Sequence, residues 1–270
     1  MINVIQLKAE PFKLLWANDV HMDSVHCKRE QFIRDCKEAD KIIISGDFWD
    51  CMEGFGDRRA SSKDPEIRKH YINGLIELGV KVLTPFKDKI IGWNGGNHEL
   101  SFGKFSDVDL TDLVCQILGI NPPRLGMRGY YVFNFDSGKP HAHSQKIYFQ
   151  HNSGSNGKRS KGSLAADLLA GEHPTADMWI TEHSHRGTIV PIKAAELTNV
   201  HTLKYVNKFF ANGITYKAAD EAKEGDTFEQ NKALGMCPIG GLIIEFKLAP
   251  EIDRPNNRHR FMTMNPYFKL

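Results

Sequence analysis

Seven side chains of the types that bind divalent metal ions occur in five short fragments of the sequence. Two are carboxylates, one is a carboxamide and four are imidazoles: Asp19, His21, Asp47, Asn97, His151, His183 and His185. Oxygen and imidazole ligands without thiolates suit Mn, Fe or Zn better than a metal that prefers sulfur or oxygen alone. This set of ligands predicts a pair of metal ions, with Mn as the favoured identity.

Two divalent ions that lie a few ångströms apart need a side chain that offers an oxygen to each, and Asp47 is the predicted bridge. The short spacing of His183 and His185 does not show which ion each of them binds. A hydroxide held between two ions is a strong nucleophile at neutral pH, and the ions stabilise the charge that develops on a phosphoryl group. Hydrolysis of a phosphate ester by attack of this hydroxide is therefore the predicted reaction.

Three further side chains beside the ligands are predicted to assist this chemistry. His98 adjoins Asn97, and a histidine with a pKa near neutrality can protonate a departing alkoxide or bind phosphoryl oxygens. Glu99 is predicted to orient the His98 ring, and Asp50 is predicted to orient a ligand histidine. His98 is thus the predicted catalytic residue, and Glu99 and Asp50 are predicted to orient histidine rings of the site without binding a metal ion themselves.

The elements that position these residues resemble an α/β fold over the first hundred residues. Short apolar runs at 12–17, 41–45 and 89–93 alternate with helical stretches. A ligand fragment follows each run, and loops from the carboxyl ends of neighbouring strands converge on one crevice in an open α/β sheet. Gly46 and Gly96 are expected to turn the backbone with positive φ and to allow close approach to the metals.

Three helices are predicted in this half of the chain. The clearest lies between the second and third runs: Asp64 caps it, Pro65 occupies its first position and Gly79 lies beyond its end. Apolar residues at helical spacing predict one buried face for this helix. The other two are predicted at about 25–38 and 110–118.

From residue 130 onward the pattern changes to strands and loops, which predicts a second sheet. The predicted strands are 130–135, 146–150, 178–181, 188–192, 203–209 and 242–246. The stretch 217–232 is polar and charged and predicts a surface insertion. Nothing else in the pattern divides the chain, so residues 1–270 are expected to form a single domain.

Composition restricts the partners and the cellular compartment that are expected for the protein. Lys and Arg total 35 against 33 Asp and Glu, and a formal charge of +2 is too small to favour a polyanionic partner through the overall field. The five cysteines are scattered, so neither a disulfide framework nor a thiolate zinc site is expected. Because no leader or membrane-spanning run is recognised, a cytoplasmic protein without a membrane partner is expected. The oligomeric state does not follow from the sequence.

In their order, these fragments resemble the calcineurin-like metallophosphoesterases, whose pattern is D-x-H, G-D-x-x-[DE], G-N-H-[DE], H and G-H-x-H. The resemblance spans Asp19 to His185, and the overall spacing is similar to that of phage and prophage members. It implies a four-layer α/β/β/α sandwich of two mixed sheets flanked by helices, and it implies His98 as the acid or transition-state group. It also divides the ligands between two ions that share Asp47: Asp19, His21 and His185 for one ion, and Asn97, His151 and His183 for the other.

Three positions depart from the pattern that this resemblance implies. Glu182 stands where glycine usually precedes the His-x-His fragment, and Asn152 stands where glycine is common. Glu182 is expected to crowd the site or to add an acidic group that alters substrate preference. The Asp-Arg pair of serine/threonine protein phosphatases is absent, since Cys51 follows Asp50, and dephosphorylation of proteins is therefore disfavoured.

A phosphodiesterase or nuclease that acts on nucleotides or nucleic acid is the favoured function. Lys158 and Arg159, in the loop after His151, are expected to contact a substrate phosphate, because loops beside a site often carry function. A phosphomonoesterase for a small metabolite is the first alternative, since sequence does not show whether a second ester group has room. A catalytically silent scaffold is the second, although such a chain is expected to lack a ligand or His98, and none is missing.

Overall fold

A computed structural model describes residues 1–51, 71–136, 143–151, 163–197, 201–218, 238–249 and 262–270. The strands, labelled β1 to β11 in chain order, are Ile2–Lys8, Phe12–Asn18, Lys41–Ser45, Ile90–Asn94, Arg128–Asp136, His143–Gln150, Met178–Thr181, Thr188–Leu197, Leu203–Asn212, Gly241–Leu248 and Met262–Lys269. The helices, labelled α1 to α5, are Arg29–Glu38, Tyr71–Leu83, Asn97–Ser106, Leu110–Leu118 and Ser163–Glu172. A 3-10 helix, Thr84–Lys89, connects α2 to β4.

The strands form two mixed sheets. The five-stranded sheet has the order β11-β10-β2-β3-β4, in which β2, β3 and β4 are parallel and β10 and β11 run antiparallel to their neighbours. The six-stranded sheet has the order β1-β5-β6-β7-β9-β8 and contains the parallel pairs β1/β5, β6/β7 and β7/β9. The parallel strands β2, β3 and β4 leave their carboxyl ends at one edge of the first sheet, and β6, β7 and β9 do so in the second, whereas β1 and β5 run the other way.

Three clusters of buried side chains show how the layers stack. Along β3, Ile42 and Ile44 pack towards α1, α2 and α4, whereas Ile43 lies in the cluster between the two sheets. This alternation follows the two-residue period of a strand that is covered on both faces. Leu169 of α5 packs against Trp179 on the outer face of the six-stranded sheet. The order of layers is therefore helices, sheet, sheet, helix, which confirms the predicted α/β/β/α sandwich.

The predicted positions of several elements agree with the structure, and others shift at their ends. The strand at 178–181 and the helix at 110–118 have the predicted bounds. The helix predicted from residue 25 begins only at Arg29, because the preceding chain is held in turns: the Cys27 amide donates to the Ser24 carbonyl, and the Lys28 amide donates to the Tyr216 carbonyl. The sequence does not predict β1, β11, α3 or α5.

The end predicted for the second helix is wrong. Helix α2 continues through Gly79 to Leu83. A Cβ atom at position 79 would lie 2.5 Å from the Trp49 ring, so the glycine allows the helix to pack closely on that ring and does not terminate it. The predicted start of this helix, with Asp64 and Pro65, lies outside the described residues.

The predicted insertion begins too early. Lys217 and Ala218 are buried, with 5% and 1% of their surface exposed. Residues 219–232 lie outside the described ranges, and the single-domain organisation of 1–270 stays a prediction. None of the described helices combines the length and the apolar composition that crossing a bilayer requires.

Candidate metal centre

The predicted ligands lie at the carboxyl ends of strands from both sheets. Asp19 follows β2 and Asp47 follows β3, while His151 follows β6 in the other sheet. The first two loops are joined by their backbones, since the Asp19 amide donates to the Gly46 carbonyl at 3.0 Å and the His21 amide donates to the Asp47 carbonyl at 3.0 Å. The site is therefore built where the two sheets meet.

Strained backbone is concentrated at the predicted ligands. Five of them have φ in the left-handed region, at values between 47° and 74°: Asp19, His21, Asp47, His183 and His185. Residues other than glycine adopt this region at a cost on the order of 1–3 kcal/mol each, and they persist there when surrounding contacts over-determine them. Such a concentration of strain is typical of a functional site.

One group of ligand atoms surrounds the ring of His151. Its Nε2 lies 2.9 Å from Asn97 Oδ1 and 3.1 Å from Asp47 Oδ2. His183 Nδ1 lies 3.7 Å from the same Asp47 oxygen. Asp19 also contributes an atom to this group, in which the carboxylate and imidazole ligand atoms lie within 4.8 Å of one another. The spacing and the ligand types fit a divalent ion.

A second group joins Asp19, His21 and His185, whose ligand atoms also lie within 4.8 Å of one another. His185 Nε2 lies 3.1 Å from Asp19 Oδ1. His21 is 2% exposed, and its Nε2 has no hydrogen-bond partner among the residues that the structure describes. A buried polar atom left unpaired is costly, and a metal ion would satisfy it. This group too fits a divalent ion.

The structure separates the two late histidines. His185 lies with Asp19 and His21, whereas His183 lies with Asp47 and His151. This is the division that the family resemblance implies and that the local spacing leaves open. The roles of these side chains as metal ligands remain predictions.

The carboxylate shared by the two groups differs from the predicted one. Asp19 belongs to both groups, whereas Asp47 belongs to only one of them. Asp47 Oδ1 accepts a hydrogen bond from the His98 backbone amide at 2.9 Å, whereas Oδ2 faces the rings of His151 and His183. Bridging by Asp47 stays a prediction and would have to use Oδ2.

The buried carboxylates and imidazoles of the site shift one another's pKa values. Burial lowers the pKa of His151, but the charge of Asp47 outweighs burial and holds that pKa above its usual value. Burial by itself raises the pKa of Asp19 and Asp47, but the neighbouring His185 and His151 hold both pKa values below the usual range. Burial lowers the pKa of His21, although Asp50 opposes this effect. Anionic carboxylates and a neutral imidazole are the protonation states that ligate a metal.

His98 lies beside the predicted metal ligands, at the position that the sequence predicts. Its Nδ1 contacts the Asp50 backbone carbonyl, which can only accept, so Nδ1 carries a proton. Its Nε2 lies 3.7 Å from Asp47 Oδ2. Burial lowers the pKa of His98, but the charges of Asp47 and Asp50 outweigh it and leave the pKa above its usual value. The ring is therefore able to donate a proton from Nε2.

Glu99 contacts the backbone rather than the His98 ring that the sequence assigns to it. Its carboxylate accepts hydrogen bonds from the amides of Asp47 at 3.2 Å, Trp49 at 3.0 Å and Gly96 at 3.0 Å. The contact with Gly96 is one half of a capping box at the start of α3. Glu99 thus stabilises the loop that carries Asp47.

Asp50 lies behind His21, as predicted, and it has two partners that the sequence does not reveal. Asp50 Oδ1 lies 2.8 Å from His21 Nδ1 and 3.2 Å from Lys217 Nζ. The Asp23 carboxylate accepts the backbone amides of Asp50 at 2.5 Å and Cys51 at 3.1 Å. The alternation of Asp19, His21 and Asp23 in the sequence is a weak signal that Asp23 belongs to the site. No local pattern of residues points to Lys217.

Glu182 does not line the open part of the site. Its carboxylate is fully buried and accepts hydrogen bonds from Trp16 Nε1 at 2.7 Å and from His151 Nδ1 at 3.2 Å. The expected crowding of the site is not seen among the described residues, because one oxygen binds the Trp16 indole and the other contacts the His151 nitrogen that faces away from Asp47 and Asn97. Asn152, Lys158 and Arg159 lie outside the described residues.

The two glycines act in different ways. Gly46 has a φ of +57°, as expected, and a Cβ atom there would lie 2.1 Å from His151 Nδ1. The positive φ expected at Gly96 is wrong, since its φ is −116°. Gly96 is needed for close approach alone, because a Cβ atom there would lie 2.1 Å from Asp47 Oδ1 and 2.2 Å from the Asp47 amide nitrogen.

Gly96→Ala is expected to destabilise the metal-free protein by about 1–3 kcal/mol, because the added methyl group displaces the loop that carries Asp47. Gly95→Ala is the matched control, since a Cβ atom at that position has no neighbour within 4 Å. Urea denaturation of both variants measures the difference in the free energy of unfolding. Equal stability of the two variants would contradict the close approach at Gly96.

No protein-family model and no curated protein matches this sequence. Among solved structures, the calcineurin-like phosphoesterase YfkN from Bacillus subtilis is 12% identical with a TM-score of 0.42, covering 96% of this chain and 91% of YfkN. The phosphoesterase YfcE from E. coli is 16% identical with a TM-score of 0.37, covering 88% and 92% of the two chains. A metallophosphoesterase from Sphaerobacter thermophilus is 11% identical with a TM-score of 0.38, covering 88% and 84%.

Proposed function

We propose that this protein is a metal-dependent hydrolase of phosphate esters that binds two divalent ions, with Mn as the favoured metal. The observation that carries the proposal is the convergence of two groups of ligand atoms around the buried Asp19, with the atoms of each group within 4.8 Å of one another. Seven side chains would hold the ions: Asp19, His21, Asp47, Asn97, His151, His183 and His185. Imidazoles and oxygens in this proportion suit Mn, Fe or Zn.

Two divalent ions held by these side chains would activate a water molecule as the nucleophile and would offset the negative charge of a phosphoryl group. The chain contributes the acid. His98 keeps a proton on Nδ1 through the Asp50 carbonyl, so Nε2 is the atom that delivers a proton to the departing oxygen. Asp50 also lies 2.8 Å from His21 Nδ1, which holds that ring in place.

We further propose that the substrate is a phosphodiester, in a nucleotide or a nucleic acid. The support is the unequal exposure of the site: the His183 side chain is 43% exposed, whereas those of His151 and Asp47 are fully buried. A phosphate that enters on the His183 side would leave a second ester group in solvent. An open site of this kind accommodates a diester without a dedicated pocket for each half.

The test is an assay of metal-stripped protein with added Mn²⁺ on four substrates: bis(4-nitrophenyl) phosphate, 4-nitrophenyl phosphate, single-stranded DNA and double-stranded DNA. We expect hydrolysis of the bis-ester and of at least one DNA. Activity is expected to vanish on chelation and to return with Mn²⁺, because the nucleophile depends on the ions. Hydrolysis of the monoester alone would identify a phosphomonoesterase, and full activity after exhaustive chelation would exclude a metal-dependent mechanism.

A further inference from the structure

Glu182 holds the ring of a predicted metal ligand from a fully buried position. Glu182 is 0% exposed, and in the chain it lies between the end of β7 and His183. One carboxylate oxygen accepts a hydrogen bond from Trp16 Nε1 at 2.7 Å, and the other lies 3.2 Å from His151 Nδ1. Each oxygen thus has its own donor, and the side chain is held at both ends.

These contacts determine which nitrogen of His151 faces the predicted metal. An ionised carboxylate only accepts, so the nitrogen that contacts Glu182 carries a proton, and Nε2 is the nitrogen left to bind an ion. The opposite nitrogen, Nε2, lies 2.9 Å from Asn97 Oδ1 and 3.1 Å from Asp47 Oδ2. His151 is therefore oriented with Nε2 among the other ligands of its group.

The backbone around this pair leaves room for it. A Cβ atom at Gly46 would lie 2.1 Å from His151 Nδ1 and 2.9 Å from Glu182 Oε2. The neighbouring loop therefore has no side chain at the point where the imidazole and the carboxylate meet. This is a second observation, independent of the hydrogen bonds, that the two side chains form a unit.

The Trp16 indole is itself held in place between the two sheets. Its ring centroid lies 5.6 Å from that of Tyr131 and 5.6 Å from that of Phe149, in edge and tilted arrangements. Trp16 belongs to β2 of the five-stranded sheet, whereas Glu182 and His151 follow strands of the six-stranded sheet. The Trp16–Glu182–His151 contact thus links both sheets to one ligand.

We propose that Glu182 is a positioning residue for one of the two metal ions: held by Trp16, it fixes His151 so that Nε2 is presented to the ion with Asp47 and Asn97. This inference rests on the proposed function and deepens it. A carboxylate on the far nitrogen of a ligand imidazole orients the ring and increases its basicity. In this chain that carboxylate stands where the resembled family usually has glycine.

Glu182→Gln is the central test, because it preserves the size of the side chain. A glutamine has one acceptor oxygen and an amino group that donates, so either Trp16 or His151 loses its acceptor. In a calorimetric titration of metal-stripped protein with Mn²⁺, we expect one binding step to weaken by about 10–100-fold and the other to stay as in wild type. Glu10→Gln, which removes the same charge at an exposed position, is expected to leave both steps unchanged.

A spectroscopic measurement identifies the step. In zinc-loaded protein with ¹⁵N-labelled histidine, the Nδ1 proton of His151, assigned by its loss in His151→Ala, is expected to be protected from exchange. Glu182→Gln is expected to abolish that protection or shift the signal. Where Glu182→Gln fails to fold, Trp16→Phe removes the indole donor together with part of the buried ring and leaves the Glu182 carboxylate in place, and we expect it to weaken the same step by a smaller factor.

The outcomes separate this inference from the proposed function. Wild-type Mn²⁺ affinities in both steps for Glu182→Gln, or equal weakening of both steps, would overturn the role of Glu182 even if the wild-type protein hydrolyses phosphate esters. Two Mn²⁺ ions bound by a wild-type protein that hydrolyses none would overturn the proposed function, and the binding steps would still decide the role of Glu182. A wild-type protein that binds no divalent ion would overturn both.

Discussion

His98→Ala is expected to lower turnover by about 10²–10⁴-fold while both metal ions stay bound. His98 is not among the predicted ligands, and its ring is held by the Asp50 carbonyl with Nε2 3.7 Å from Asp47 Oδ2. Removal of the ring takes away the proton donor and leaves the metal-binding side chains in place. The measurement is the steady-state rate with a phosphodiester substrate, together with the metal content of the same preparation.

The choice of leaving group separates two roles for His98. A nitrophenolate leaves without protonation, whereas an alkoxide needs an acid, so His98→Ala should impair an alkyl ester far more than a nitrophenyl ester. Equal loss on both esters would instead indicate that His98 binds the phosphoryl oxygens. His201→Ala, at an exposed position, is the control for a histidine substitution as such. Wild-type turnover in His98→Ala would refute either role.

Asp47→Asn is expected to lower the affinity for both ions by on the order of 10²-fold or more, since a direct ligand is worth at least as much as its supporting contacts. Asp47 is fully buried, and its Oδ1 is occupied by the His98 backbone amide. In the variant, the amide oxygen would take that hydrogen bond and turn an NH₂ group towards the metals. The variant therefore loses both the negative charge of Asp47 and a lone pair that faces the metals, and each loss weakens metal binding.

Metal content after dialysis at limiting Mn²⁺ measures this effect, with Asp88→Asn as the control because that carboxylate is exposed. Loss of both ions would support a bridge through Asp47. Loss of one ion would instead indicate that Asp19 is the shared carboxylate, as its membership of both groups suggests. Full retention of both ions would exclude Asp47 as a ligand.

Much of the secondary structure could be predicted because apolar periodicity is a local property of the chain. The runs at 41–45 and 178–181 are buried strands in the structure, and the helix at 110–118 has its predicted bounds. The helix end at Gly79 could not be predicted correctly, because the reason for that glycine is the Trp49 ring, which is distant in sequence. Helix α3 was missed for a related reason: its apolar residues show little helical periodicity, and its first turn is stabilised by Glu99 contacts to another loop.

The sequence by itself determined the types of side chain that gather at the candidate site, since seven side chains with oxygen or imidazole donors can be read directly from short fragments. It also determined the neighbourhood of His98, which adjoins a ligand in the chain. Only the tertiary structure decided how these residues are arranged: which histidine joins which group, where Glu99 binds, and which carboxylate is shared.

The contacts that hold the predicted ligands in place explain why the sequence predicts their types but not their arrangement. The Lys217–Asp50 contact joins residues 167 positions apart, and Trp16 and Glu182 are 166 positions apart. Contacts at such separations depend on how two sheets pack on each other, and no local pattern of residues records that packing. Ligand chemistry is therefore a property of the sequence fragments, whereas the positioning of the ligands is a property of the folded sandwich.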